Sequence, residues 1–530
     1  MAKVLVLDGL SNEGVDILRQ EGFEVDVKPP QKPDELAQII GEYDALVVRS
    51  ATKVTRQVLQ AAKKLKVVGR AGAGTDNIDS EAATEAGIIV MNTPGGNTIS
   101  TCEHTFALLL ALCRNIPAAH QSMVEGRWDR KKFMGTELYG KTLGVIGVGR
   151  VGGAVVKRAL AFEMKVLAYD PILTPLKAES LGVELVGLDE LLEKSDFISV
   201  HAPKTEKTNN LITLEKMKRM KRTCRIINCA RGGIVNEADL AQALREGIIA
   251  GAAVDVYVNE PPEPNPFLGV PNIIMTPHLA ASTEEAQLTV AVDIARQIAD
   301  YLKTGAIVNA VNVPSLDPET RKMLQPLMFL AERLGEFVAH YADEPPQAIE
   351  VEYLGEMGVT DTYPVTAAIL TGFLKPVVEN VNMVSAPSQL KARGIECRER
   401  RSAEISAYAF EIGVKLVSAK GKEVAVRGTL FHRTDPRICS INGMRVDARP
   451  VGHMLVCENQ DVPLILGRIC TTLGENGVNI ANLTLGREAP GGRALTVLNL
   501  DQPIGESLLA QIRALPHVLS AKVVSLPAEL

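Results

Sequence analysis

Short aliphatic runs alternate with amphipathic stretches along the first 95 residues. KVLVLD, FEVDVK, DALVVRS, KVVGRAG and GIIVMN read as strands, and EGVDILRQ, DELAQIIGEY, TRQVLQAAKKL and SEAATEAG as the helices between them. Such alternation predicts a parallel, doubly wound sheet. From residue 140 the rhythm restarts with TLGVIG, KVLAYD, FISVHAP, CRIINCA, AAVDVY and NIIMTP as strands. Between the two units, TISTCEHTFALLLALCRNIPAAHQSM (98–123) predicts one long, mostly apolar helix. After AQLTVAVDIARQIADYLKTG, a further helix, the prolines of VNAVNVPSLDP mark a domain boundary. Residues 315–451 read as mixed α/β without a chemical motif. The last stretch, 452–530, runs βαββαβ, which suits a small antiparallel sheet backed by two helices.

Composition narrows the classes. A chain of 530 residues exceeds the size of a single core, so several domains are expected. Hydrophobic residues make up 46 % and aromatics only 4 %, which fits aliphatic α/β cores. A net charge of −6 without basic blocks argues against nucleic acid or membrane as partner. Affinity for an anionic ligand must then come from locally placed Arg and Lys. The eight Cys are scattered without CxxC or zinc spacing, which reads as reduced thiols and no metal site. No apolar run is long enough to span a membrane and no signal segment opens the chain, so a cytoplasmic location is expected.

The segment GVIGVGRVGG places Gly147, Gly149 and Gly152 in G-x-G-x-x-G spacing between a strand and a helix. The glycines permit the tight turn and the close approach of a pyrophosphate to a helix N-terminus. Asp170 ends the next strand, 18 residues past the third glycine, where a carboxylate can bond both ribose hydroxyls and repel a 2′-phosphate. That pattern predicts NAD rather than NADP. Three later strands each deliver a reactive side chain to the carboxyl edge of the sheet, where ligands bind. Arg231 follows RIINCA, Glu260 follows AAVDVYVN and His278 follows NIIMTP. Hydride transfer from a secondary alcohol needs a base for the hydroxyl proton, and imidazole titrates in the right range. A carboxylate on that imidazole fixes its tautomer, and a guanidinium grips an α-carboxylate bidentately. The trio predicts a 2-hydroxy-acid dehydrogenase. In the first unit Arg49 and Arg70 end two strands at the ligand-facing edge, as anion recognition or as ion pairs with neighbouring carboxylates.

VVGRAGAGTDNID, KTLGVIGVGRVG, NCARGGIVNEADL, DVYVNEPP and TPHLAASTEEAQ together resemble the D-isomer-specific 2-hydroxyacid dehydrogenase family. The resemblance implies a flavodoxin-like substrate domain (1–95 and 287–314) interrupted by a Rossmann NAD domain (96–286). It places catalysis on Arg231, Glu260 and His278. Cofactor contacts fall on Gly147, Gly149, Arg150, Val151, Gly152, Asp170, Ala202, Cys229, Ala230, Arg231, Asp255, His278 and Ala281.

RSATKVT, DRKKFMGTEL and the extension past residue 314 resemble the family's long-form branch, which oxidises 3-phospho-D-glycerate towards L-serine. That branch carries an intervening domain (315–451 here) and an ACT domain (452–530), a module that pairs with itself and binds amino acids. The resemblance implies a phosphorylated hydroxy acid held by Arg49, Ser50, Arg70, Gly72, Arg130 and Lys131, with Lys132 beside them. The WDRKKF segment of such relatives approaches the neighbouring subunit's active site, which implies a homodimer or homotetramer. L-serine as effector would contact Asn459, Asp461 and Asn479. The family's usual Pro-Gly at the ACT helix start is here Pro463-Leu464, which removes a place where backbone crowds an effector. Two alternatives stay open: a dehydrogenase of another 2-hydroxy acid, such as 2-hydroxyglutarate, and a non-catalytic NAD-sensing scaffold.

Overall fold

The computed structural model describes residues 1–355, 361–379, 381–402 and 407–527; the rest of the third and last regions lies outside the described residues. Five all-parallel strands form the first sheet: β1 (Lys3–Val6), β2 (Glu24–Val27), β3 (Ala45–Val48), β4 (Val67–Arg70) and β5 (Ile89–Asn92), in the order β2-β1-β3-β4-β5. Its middle strand β3 is apolar throughout because helices cover both faces. One of those helices comes from far along the chain. Val290, Ala291, Ile294 and Ile298 of the helix Glu284–Thr304 share a core with Val4, Val6, Ala45 and Val67. The segment after it lies along β5, with the Val311 N–H donating to the Val90 carbonyl (2.8 Å).

The second sheet holds seven parallel strands: β6 (Thr142–Ile146), β7 (Lys165–Tyr169), β8 (Glu184–Leu185), β9 (Phe197–Val200), β10 (Arg225–Asn228), β11 (Gly251–Val254) and β12 (Ile273–Met275). Their order is β12-β11-β10-β9-β6-β7-β8, so the direction of winding reverses between β6 and β9. Ligands bind at such a reversal. The two-residue β8 is one strand more than the hydrophobic pattern predicts. The single helix expected over 98–123 is instead two, Thr98–Cys113 and Ile116–Val124. Asn115 between them takes a left-handed conformation (φ 53°), and Pro117 has no N–H to continue the ladder.

The third sheet, β14-β13-β15-β16-β17-β18, comprises β13 (Pro346–Gly355), β14 (Glu396–Ser402), β15 (Phe410–Ser418), β16 (Glu423–Phe431), β17 (Asp435–Ile441) and β18 (Met444–Ala448). It packs on the helices Pro318–Tyr341 and Tyr363–Leu374. Last come β19 (His453–Gln460), β20 (Ile480–Arg487), β21 (Arg493–Leu500) and β22 (Val518–Ser525), an antiparallel sheet in the order β20-β21-β19-β22. One face of it covers the helices Ile465–Glu475 and Glu506–Arg513. From its other face Met454, Val456, Leu495, Val497, Val524 and Leu526 join the same core as Leu330, Leu334 and Phe337 of the third region. Among the described residues no helix is long and apolar enough to cross a membrane.

Candidate active site

After β6 the backbone turns left-handed at Gly147 (φ 87°), where a Cβ would stand 2.8 Å from the Ala202 nitrogen. A Cβ on Gly152 would lie 2.0 Å from the Gly147 carbonyl oxygen. Glycine is therefore required at both. Gly149 caps the helix Arg150–Ala161 and faces open space. Asp170 braces this turn from β7, accepting the Val148 N–H at 2.8 Å through Oδ2. On the wall next to it, burial pulls the His201 imidazole down to about 4, so it stays neutral. Arg150, Val151, Ala202, Cys229, Ala230 and Ala281 line a cavity of about 480 Å³ in front of the turn. An open helix N-terminus and a glycine turn free of side chains fit a dinucleotide pyrophosphate.

Arg231 and His278 line the same cavity, from the ends of β10 and β12. Nδ1 of His278 is 2.7 Å from Oε2 of Glu260, whose Oε1 accepts the Tyr257 N–H at 3.1 Å. Burial alone would raise the Glu260 carboxyl, but His278 and the Tyr257 N–H hold it below its ordinary value. His278 itself sits in the left-handed region (φ 55°), a strained conformation for a non-glycine residue.

Asp255, expected among the cofactor contacts, is fully buried beneath that loop instead. Its carboxylate accepts the Thr276 hydroxyl (2.6 Å) and the N–H groups of Leu279 (2.7 Å) and Ala280 (2.9 Å). Its oxygens are committed to the two residues after His278, so in this structure it holds the loop rather than lining the cavity. His104, which the motifs did not single out, completes the network with Nε2 3.3 Å from the Thr276 hydroxyl.

Across the cleft, the loop bearing Arg49 and Ser50 is held by Asp8, which accepts the Arg49 and Thr52 N–H groups, and by Asn77 on the Arg49 carbonyl. Among the described residues neither Arg49 nor Arg70 forms a salt bridge. Nε of Arg70 is buried without a hydrogen-bond partner. Burial, then the charges of Arg231 and Arg49, push its guanidinium down to about 10. A buried guanidinium held next to two further cationic side chains marks a place built for an anion. A Cβ on Gly72 would fall 1.5 Å from Nη1 of Arg70, so glycine there leaves the guanidinium its room. Arg130, Lys131 and Lys132 are exposed in a short 3₁₀ turn and do not line the cavity.

In the C-terminal module Asn459 and Asp461 line a small cavity of about 120 Å³ with Leu464 and Leu485. Asn459 is buried and bonds the Thr496 hydroxyl (3.0 Å); Asp461 accepts from Arg487 (3.0 Å). Asn479 is not brought there. It precedes β20 at the opposite end of the sheet and donates to Asp501. A larger cavity of about 570 Å³ lies over the third sheet near Arg427 and Arg445, with no histidine in its lining.

The family model for the NAD binding domain of D-isomer specific 2-hydroxyacid dehydrogenases matches residues 106–280. That for the D-3-phosphoglycerate dehydrogenase intervening domain matches 323–442, and that for the ACT domain 453–517. A D-3-phosphoglycerate dehydrogenase of Archaeoglobus fulgidus is 44 % identical over 528 residues, covering 99 % of this chain and 100 % of that protein. The chain belongs to the D-3-phosphoglycerate dehydrogenase family. A relative of the same name from Bacillus subtilis is 40 % identical over 99 % of this chain and 100 % of its own. Among solved structures, the D-lactate dehydrogenase of Aquifex aeolicus complexed with NAD and lactic acid matches 59 % of this chain and 100 % of its own, at 27 % identity and a TM-score of 0.54. Membership makes the chain an NAD-dependent dehydrogenase.

The family motifs did not point to every polar group in the cavity. Asp76, Asn92, Asn97, Thr101 and Lys204 also line it. Asp76 stands inside GTDNID, which carries the family resemblance without marking this carboxylate for a role.

Proposed function

We propose that this chain oxidises 3-phospho-D-glycerate to 3-phosphohydroxypyruvate with NAD, the first step towards L-serine. The observation that carries the reading is the His278–Glu260 pair at 2.7 Å on a cavity that also receives Arg231. With Nδ1 engaged by Glu260, Nε2 of His278 is the nitrogen able to take the hydroxyl proton. Glu260 stabilises the imidazolium so formed. Arg231 grips the α-carboxylate and polarises the adjacent oxygen. Arg49 and Arg70, in the space Gly72 leaves, take the phosphate together with Ser50, and Arg130 and Lys131 reach it from a neighbouring subunit. NAD, when bound, supplies the hydride acceptor, and the chain supplies position and charge.

Assembly as a homodimer or homotetramer is supported by apolar side chains left in solvent between residues 116 and 139, with Trp128 73 % exposed. L-serine is the effector proposed for the ACT cavity at Asn459 and Asp461, and the location proposed is cytoplasmic.

Turnover with NADH, followed on 3-phosphohydroxypyruvate, hydroxypyruvate, glyoxylate and 2-ketoglutarate, tests the substrate. Equal or better activity on an unphosphorylated acid would remove the phosphate site. Replacing His278→Gln should leave NADH binding intact and reduce kcat by roughly 10²- to 10⁴-fold. Unchanged kcat would take the acid/base role from His278.

A further inference from the structure

We propose that Asp76 is a positioning residue: from the opposite wall of the cleft it holds Nε of Arg231, so that the two Nη groups face the reacting acid. The inference rests on the role given to Arg231 above.

The two residues are 155 positions apart and come from different sheets, Asp76 from the loop after β4 and Arg231 from the end of β10. Nε–H of Arg231 donates to Oδ2 of Asp76 at 2.9 Å, and Nη1 donates to the carbonyl of its own neighbour Ala230 at 2.7 Å. The loop is hollowed to receive the guanidinium. A Cβ on Gly74 would stand 1.9 Å from Nη2 of Arg231 and 3.0 Å from Oδ2 of Asp76.

Stability does not account for the pair. The Asp76 side chain is 67 % exposed and that of Arg231 32 %, and ion pairs this open to water contribute little to folding. Its consequence is geometric. A guanidinium carries five N–H donors in a planar fork. With Nε on Asp76 and one Nη1 hydrogen on Ala230, the plane is set, and three donors on Nη1 and Nη2 remain for a carboxylate and the oxygen beside it. Asp76 and Arg231 belong to opposite walls, so the pair exists only while the cleft has this arrangement. Closing the cleft therefore aims the arginine, and opening it releases the aim.

Steady-state kinetics of Asp76→Asn, Gly74→Ala and Arg231→Ala, with melting curves and NADH titrations alongside, test the proposal. For Asp76→Asn, kcat/KM for 3-phospho-D-glycerate should fall roughly ten- to hundred-fold, with NADH affinity and Tm unchanged. Asp76→Glu should recover part of the loss. Gly74→Ala keeps the carboxylate but displaces Nη2, and should fall in the same direction. Adding Asp76→Asn to Arg231→Ala should cause no further loss. If Asp76→Asn is neutral, or lowers KM as removal of a competing carboxylate would, while Arg231→Ala is crippled, the positioning role is overturned and the reading of Arg231 survives. If Arg231→Ala keeps full activity, both fall together.

Discussion

At Gly147 the backbone turns left-handed (φ 87°) between β6 and the helix behind it; at Leu464 it does the same (φ 72°) between β19 and the helix Ile465–Glu475. In the first turn a Cβ would press on the backbone of His201 and Ala202 at 2.8–2.9 Å. In the second a whole leucine side chain stands 73 % exposed. A left-handed conformation strains leucine by roughly 1–2 kcal/mol, yet nothing collides with it. The contrast separates two reasons for glycine at such a junction. One is conformational and can be overridden at a modest cost. The other is that a second backbone occupies the space of the side chain, and then no other residue serves. The cofactor turn has both reasons and the ACT turn only the first.

The largest expected effect that would test this contrast is that of Gly147→Ala. NADH affinity, read by fluorescence titration, should weaken by roughly a hundredfold or more, because strand and turn must separate. Affinity near that of the parent would show that the two turns are equally tolerant.

His201 forms part of the wall that Gly147 faces, and its imidazole ionises near 4 in the folded chain against 6.5 when free. Below 6.5 the unfolded chain binds the proton that the folded one refuses, so stability is complete above that pH and declines as pH falls towards 4. The loss should be about 3 kcal/mol across this window, measured by denaturant unfolding at successive pH values. His201→Asn should flatten it, and an unchanged slope would place the titration elsewhere.

Smallest is Leu464→Gly. Relief of left-handed strain, less the extra freedom glycine gains when unfolded, should leave about 0.5–1 kcal/mol of stabilisation. A destabilised variant would mean that the leucine side chain makes a contact worth more than its strain.

Much of this architecture could be read from the chain. Apolar runs at strand length announced the two parallel sheets, and the βαββαβ rhythm announced the last module. Arg231, Glu260 and His278 were legible because each follows a strand that ends at the same edge. Elements that depend on a single local conformation were not. Asn115 and Pro117 divide a helix that is apolar on both sides of the break, so periodicity alone runs through it. The two residues of β8 are too few to show a period. Asp255 and Asp76 look alike in sequence, each a carboxylate within a motif that carries the family resemblance. Only packing shows that one is sealed beneath the His278 loop and the other reaches across the cleft to Arg231. The interruption of the first domain came from family resemblance, since alternation is the same whether a sheet is closed by the next helix or by one two hundred residues later.

The shared core between the third sheet and the C-terminal module makes that module a structural wall of the domain before it. Met454, Val456, Leu495, Val497, Val524 and Leu526 are as much the ceiling of the preceding domain as the floor of their own. A chain clipped before His453 would be left with an uncovered greasy face. The two units are therefore expected to melt as one block, and simple truncation should not leave the preceding domain intact.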